Sequence, residues 1–191
     1  LLLYKMNKAI LLLLIAFAIT KKIREITAEK PDQSMKDGID KLYKRQNELR
    51  AKHGVDPLSV DSEIEKIAQS HVEKLASNNM FELSGAKFNE EELGENLYLM
   101  MSSGDPTFTG IDVANHWYEE GSKYDFNNPG YVEKQGHFTQ IVWKSSKKIG
   151  CGVAKGPYNF WNGLFVDCLY FPAGNINNAT YFKNNVFPSK Y

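Results

Sequence analysis

The chain has 191 residues, of which 42% are hydrophobic and 24% charged, a balance that suits one globular domain and excludes wholesale disorder. Lys plus Arg (23) equals Asp plus Glu (23), and with no long basic run the chain lacks the electrostatic means to hold nucleic acid or an anionic membrane surface. Two cysteines are too few for a disulfide-rich scaffold or a four-cysteine zinc site.

Met6 reads as the initiator, Lys8 as a small basic flank, and residues 9–19 as an apolar run. As a helix that run rises only about 16 Å, short of a hydrocarbon core of ~30 Å. Ala16-Phe17-Ala18 supplies the small-x-small pattern that signal peptidase needs, followed by polar Thr20-Lys21-Lys22. The expectation is a signal peptide over residues 1–18 cleaved after Ala18, with cleavage after Ala28 and an uncleaved anchor as the competing readings. A flexible lead-in containing Pro31 follows over 19–36, then one folded domain over 37–191. Removing the leader takes Lys5 and Lys8 and no acid, leaving a slightly acidic, secreted, extracellular chain with no transmembrane segment.

Ile39, Leu42, Tyr43, Gln46 and Leu49 recur at three- and four-residue steps and predict a one-faced helix that Gly54 stops. Ser62-x-x-Glu65 reads as a capping box opening a second helix, with Ile64, Ile67, Ala68, His71 and Leu75 as its buried stripe. Residues 77–94 lose periodicity and read as a polar loop. Asn96 to Met101 reads as a short strand, and a third helix runs from about Gly110 to Lys123 with Val113, Trp117, Glu120 and Tyr124 on one face. Asn127-Asn128-Pro129-Gly130 ends it, and His137 to Trp143 reads as a short helix. The period then switches to two: Ile149, Cys151 and Val153 share one face of a strand, and Leu164, Val166, Cys168 and Tyr170 one face of the next. Gly156-Pro157 and Asn162-Gly163 predict a hairpin with a longish loop. Helices followed by late strands suggest an α+β layering, helices covering a small sheet.

If those two strands pair, their alternating faces bring the sulfurs together, and an oxidising compartment then predicts a Cys151–Cys168 disulfide. A redox pair would need C-x-x-C spacing or an activated thiolate, and neither is present. Asn178-Ala179-Thr180 is the one glycosylation sequon, placing a glycan on Asn178.

Glu120 lies three positions after Trp117 and four before Tyr124, so it points to the apolar side, where a lone carboxylate costs several kcal/mol. Glu95, beside Gly94, enters a strand in a similar setting, and His137 opens a helix beside Gly136. Two carboxylates and an imidazole brought together could hold a divalent cation or act as an acid/base set; the competing reading is a hydrogen-bonded network that fixes core geometry. No G-x-S-x-G elbow, H-E-x-x-H or phosphate-cradling glycine pattern occurs.

Gly136-His137-Phe138-Thr139-Gln140-Ile141-Val142-Trp143-Lys144-Ser145-Ser146 and Phe165-Val166-Asp167-Cys168-Leu169-Tyr170-Phe171-Pro172-Ala173-Gly174-Asn175 resemble the two signature motifs of the CAP superfamily. That superfamily unites cysteine-rich secretory proteins, antigen 5 and pathogenesis-related 1 proteins. Gly94-Glu95-Asn96-Leu97, Gln46-Asn47-Glu48-Leu49-Arg50 and Trp117-Tyr118-Glu119-Glu120 resemble its remaining motifs, and the likeness runs from Ile39 to Phe187. It implies a three-layer α-β-α sandwich around a small, mainly antiparallel sheet, in a short secreted member without a cysteine-rich tail.

The family's cleft carries two histidines and two glutamates. Glu95, Glu120 and His137 match three of these positions, and Leu83 stands where the second histidine belongs. A metal site on His137, Glu95 and Glu120 is therefore short of an imidazole, no cofactor is assured, and a divalent cation would be held weakly. His116, one turn before Glu120, is the substitute to consider. The helix-one motif has Gln46 where a histidine is usual, and Leu169 replaces a polar residue of the second signature.

The resemblance implies a non-catalytic binder of a sterol or fatty acid, or a modulator of an extracellular partner protein. A loop bearing Tyr124, Phe126 and Tyr131 is the candidate ligand surface, set against packing of those rings onto the neighbouring helix. A divalent-metal-dependent hydrolase using Glu95, Glu120 and His137 is the alternative, and enzymatic activity is the less expected outcome.

Overall fold

The computed structural model describes residues 31–190, together with Ile10. The predicted signal peptide, Ile10 apart, and residues 19–30 of the predicted lead-in lie outside the described residues. Asp32 caps helix α1 (Gln33–Lys52), its carboxylate accepting from Met35 N at 2.8 Å. Met35 is only 2% exposed. Residues 33–36 therefore belong to the helix, not to a flexible lead-in: a cap and a core methionine hold them. The predicted stripe of Ile39, Leu42, Tyr43, Gln46 and Leu49 is buried, and the chain leaves the helix through His53 and Gly54, whose φ is +68°.

A two-residue strand β1 (Ser59–Val60) precedes α2 (Ser62–Asn78). The cap of α2 is Asp61, one residue before the predicted Ser62; its carboxylate accepts from Glu63 N and Ile64 N and adds negative charge at the helix start. Ile64, Ala68, His71 and Leu75 are buried as expected, with Val72 and Ala76 beside them, while Ile67 is only half-buried. The stretch predicted as a polar loop holds a small hairpin, β2 (Lys87–Phe88) and β3 (Glu91–Glu92), joined through Asn89 and Glu90 at φ +51° and +66°. Strand β4 spans Gly94–Ser102.

Helix α3 (Gly110–Glu119) tightens into a 3₁₀ turn over Glu120–Lys123, and a second such turn, Glu133–Gln135, leads into α4 (Gly136–Ile141). Helix α5 (Ala179–Asn185) follows strands β5 (Lys148–Tyr158) and β6 (Trp161–Phe171), which form a long hairpin. Its turn is short, not long. Gly156 pairs with Gly163 and Pro157 with Asn162 inside the ladder, leaving Asn159, at φ +52°, and Phe160 to turn the chain. The sequence carries no strong period for α5, which is anchored by Phe182, at 0% exposure against Trp143, and by buried Asn185, whose Oδ1 accepts from Ser145 N and Oγ.

The sheet order is β1-β5-β6-β4, antiparallel except for the β1–β5 edge. Helix α2 covers one face and α1, α3 and α4 the other, so the architecture is the predicted α-β-α sandwich. The α2 face owes its close approach to glycine: a Cβ on Gly150 would meet Glu65 N at 2.2 Å and one on Gly152 would meet Gln69 N at 2.5 Å. On the other face Cys151 and Cys168 stand directly opposite in register and are joined by the predicted disulfide. The core there gathers Leu42 and Leu49 from α1, Trp117 from α3, Phe138 and Ile141 from α4, and Val153, Val166 and Tyr170 from the sheet. Among the described residues no helix is long and apolar enough to cross a membrane.

Candidate functional site

Glu120 sits where α3 tightens, and its carboxylate points at the start of α4. It accepts from His137 N at 3.0 Å and Phe138 N at 3.4 Å through Oε2, and pairs with His137 Nδ1 at 2.7 Å through Oε1. A carboxylate at a helix start satisfies amides that the helix itself leaves unpaired. The His137 ring stacks on Trp117, centroids 5.8 Å apart and planes 24° from parallel, and its carbonyl accepts from Asn96 Nδ2 at 3.0 Å. The side chains are 21% and 36% exposed. The imidazole is fixed through Nδ1 and by the stack on Trp117 while part of its ring stays exposed, so this is a positioned acid–imidazole pair at the domain surface.

A cleft of about 310 Å³ opens nearby, lined by His53, Tyr118, Gly121, Phe126 and Phe138 among others. Gly121 makes the wall close-fitting, since a Cβ there would meet the Phe138 ring at 2.4 Å. His53 is buried, its Nε2 2.8 Å from the Tyr118 hydroxyl and its Nδ1 2.5 Å from the Phe187 carbonyl. Burial holds the His53 pKa below its ordinary value despite the Phe187 carbonyl.

The three predicted loop aromatics do not form one exposed surface. Tyr124 is buried, packs on Phe126 and Phe138, and accepts from Gly130 N. Phe126 is half-buried and lines the cleft, while Tyr131 is exposed and leans on Phe182. Burying Tyr124 against Phe138 is worth more than exposing it, because each ring removes a large apolar area from water. Asn178 is exposed and caps α5, its side-chain oxygen accepting from Thr180 N.

Glu95 does not join Glu120 and His137. Its neighbour Asn96 faces them, and the pleat therefore turns Glu95 to the α2 face of the sheet. There its carboxylate accepts from Ser84 N at 2.9 and 3.0 Å and from Ser84 Oγ at 2.5 Å. His71 Nδ1 lies 3.8 Å from Glu95 Oε1 and 2.8 Å from Asp167 Oδ2. Leu83 is exposed and His116 stands on the exposed flank of α3 against Tyr98. The residues present thus do not fit the family's four-residue metal set. One position is a leucine, Glu95 is turned across the sheet, and Glu120 is committed to His137 and two amides.

Two residues that the sequence reading did not place in a site are His71 and Asp167. The available signal was Asp167 alone within the apolar run Leu164–Phe171, a pattern of strands buried on both faces. Burial pushes the Asp167 carboxyl up to about 7, against the lowering effect of its hydrogen bond from His71. Burial acts to lower the His71 pKa, but the hydrogen bond to Asp167 and the charges of Asp167 and Glu95 raise it overall. Both groups hold protons more tightly folded than unfolded, so stability from this pair falls as pH rises. In chelator-containing buffer the unfolding free energy is expected to drop by up to about 1.4 kcal/mol per pH unit between the ordinary carboxyl range and neutrality. Urea midpoints from pH 4 to 8 check this, and Asp167→Asn should flatten the profile; an unchanged slope would refute it.

A sequence profile described as CAP, the cysteine-rich secretory protein family, matches residues 43–170. The chain belongs to the CAP family. Golgi-associated plant pathogenesis-related protein 1 of Homo sapiens is 40% identical over 151 residues, covering 79% of this chain and 93% of that protein. Secreted protein RBT4 of Candida albicans is 34% identical over 131 residues, 68% of this chain and 33% of its own length. The chain thus spans nearly all of the first relative and a third of the second. The crystal structure of NaASP2 with Zn2+ superposes with a TM-score of 0.56 at 23% identity, over 84% of this chain and 90% of that one, a likeness of fold alone. Within this CAP domain, the Glu120–His137 pair and the aromatic cleft lie among the helices of one face, and Glu95 belongs to the other.

Proposed function

We propose that this CAP-domain protein is a secreted, extracellular, non-catalytic binder of a small apolar lipid, a sterol or fatty acid. The observation that carries the reading is the cleft walled by Phe126, Phe138 and Tyr118. Its volume, about 310 Å³, is at the lower end of small-molecule sites, suiting a flat ring face or an acyl segment with part of the ligand left outside. The Cys151–Cys168 bond suits an oxidising compartment, as do the predicted leader and a relative named as secreted. Against a hydrolase stands the separation of Glu95 from Glu120 and His137, which leaves the acid/base set incomplete.

The test is equilibrium binding of fluorescent sterol and fatty-acid probes to the purified chain. Saturable binding is expected, weakened about tenfold or more by Phe126→Ala, since removing one ring contact forfeits roughly 25 cal/mol per Å² of apolar area. Tyr131→Ala should bind as the parent does. Absence of saturable binding, or binding indifferent to Phe126→Ala, would remove the lipid reading and favour a partner protein. Ester or peptide hydrolysis lost in Glu120→Gln would restore the enzyme reading.

A further inference from the structure

We propose that His71, Glu95 and Asp167 form a site for one divalent transition-metal ion on the α2 face of the sheet, across from the Glu120–His137 pair. One ligand atom from each of the three residues lies within 4.8 Å of the others. Nδ1 of His71 is already 2.8 Å from Asp167 and 3.8 Å from Glu95. Donors bound at about 2.0–2.2 Å to a tetrahedral ion stand roughly 3.3–3.6 Å apart, so rotamer adjustments, not backbone movement, close the set.

Burial argues that something balances these charges. The side chains of His71, Glu95 and Asp167 are 7%, 7% and 0% exposed. Asp167 Oδ1 is buried with no hydrogen-bond partner among the described residues. An orphaned carboxylate oxygen in a core is costly, and native folds rarely keep one without a ligand, water or ion. With the Asp167 proton released and the imidazole neutral, as ligation requires, two carboxylates face one imidazole, a charge that a divalent cation would neutralise.

The surroundings are arranged as a metal's would be. Ser84 N and Oγ hold the Glu95 carboxylate in place, the outer-sphere role that orients ligating carboxylates. Gly152, paired with Asp167 in the ladder, lets α2 approach closely enough for His71 to reach the strand. A cleft of about 450 Å³ lined by Ser70, His71, Ser84 and Ala86 provides the entry. Lys66 and Lys74 flank it, but both are exposed and Lys74 lies 3.6 Å from Glu82. One nitrogen and two carboxylate donors suit zinc or manganese, not copper(I) or another soft ion.

The test is calorimetric titration of the chelator-stripped chain with zinc chloride and with manganese chloride, joined to ¹⁵N NMR of the histidine rings. One ion per chain is expected, with the His71 ring nitrogens shifting on binding. Asp167→Asn and His71→Gln should each weaken affinity at least tenfold, while His116→Gln should not. If Asp167→Asn fails to fold, the ring shifts of the unaltered chain decide. No stoichiometric ion, or an ion that shifts His137 while leaving His71 unmoved, overturns the site. Neither outcome depends on lipid binding at Phe126.

Discussion

Replacing Arg50 by methionine is expected to cost at least about 3 kcal/mol of unfolding free energy, a large share of the 5–15 kcal/mol typical of a domain. Arg50 is completely buried and serves four carbonyls: Asp56 at 2.7 Å, Ile141 at 2.6 Å, Trp143 at 2.9 Å and Ser146 at 3.1 Å. It therefore ties the end of α1 to the loop before β1 and to the turn between α4 and β5. Burial lowers its pKa to about 10, so it stays charged at neutral pH, and the backbone oxygens are its solvation shell. Methionine fills much of the volume but donates nothing, leaving several buried acceptors short of a partner. Lysine is expected to recover only part of the loss, because one ammonium cannot reproduce the planar fork. Urea unfolding of both variants measures this; a loss under 1 kcal/mol for methionine would show that the turn finds other donors.

Reduction of the Cys151–Cys168 bond should have the second-largest effect. The cysteines are 17 residues apart in sequence, and opening a loop of about that size removes roughly 3 kcal/mol on the chain-entropy account. For a domain of this length that is about 6–12 °C in Tm. Scans with and without reductant on the same chain give the number. The strand ladder and the core on both faces remain, so the reduced protein is expected to fold with the same circular dichroism. A Tm unchanged by verified reduction would mean that the hairpin is fully specified by its ladder in the unfolded ensemble too.

Much of the fold was legible because its periods are strong. Leu42, Tyr43 and Leu49 mark α1 at helical steps, and Ile149, Cys151 and Val153 mark β5 at alternation, each period reporting a single buried face. What escaped had weak or misleading local signals. Strands β1, β2 and β3 are two residues each, too short for any period. Helix α5 is held by only two buried residues, Phe182 and Asn185, too few to show a period, and the α2 cap passed from Ser62 to Asp61 because both residues are good caps and neighbouring geometry chose between them. The glycines and proline that predict a longish hairpin loop pair inside the ladder instead.

The site divides the same way. That Glu120 and His137 meet follows from helical spacing and the motifs around them. That Glu95 leaves them follows from pleat parity: with Asn96 turned toward His137, its neighbour must face α2. Parity relative to a distant helix is not written in any local window, since it depends on which face of the sheet each helix covers.

The amino-acid sequence by itself determined the family, the layered class, the disulfide partners and the chemical types available to a site, because these rest on composition, short periods and motif order. Only the tertiary structure decided which acids share a face. It set His71 and Asp167 beside Glu95, buried Tyr124, and left Phe126 on a cleft wall. Those outcomes come from strand register and from how closely α2 can approach a glycine-bearing strand, interactions between segments up to 96 residues apart that no local pattern encodes.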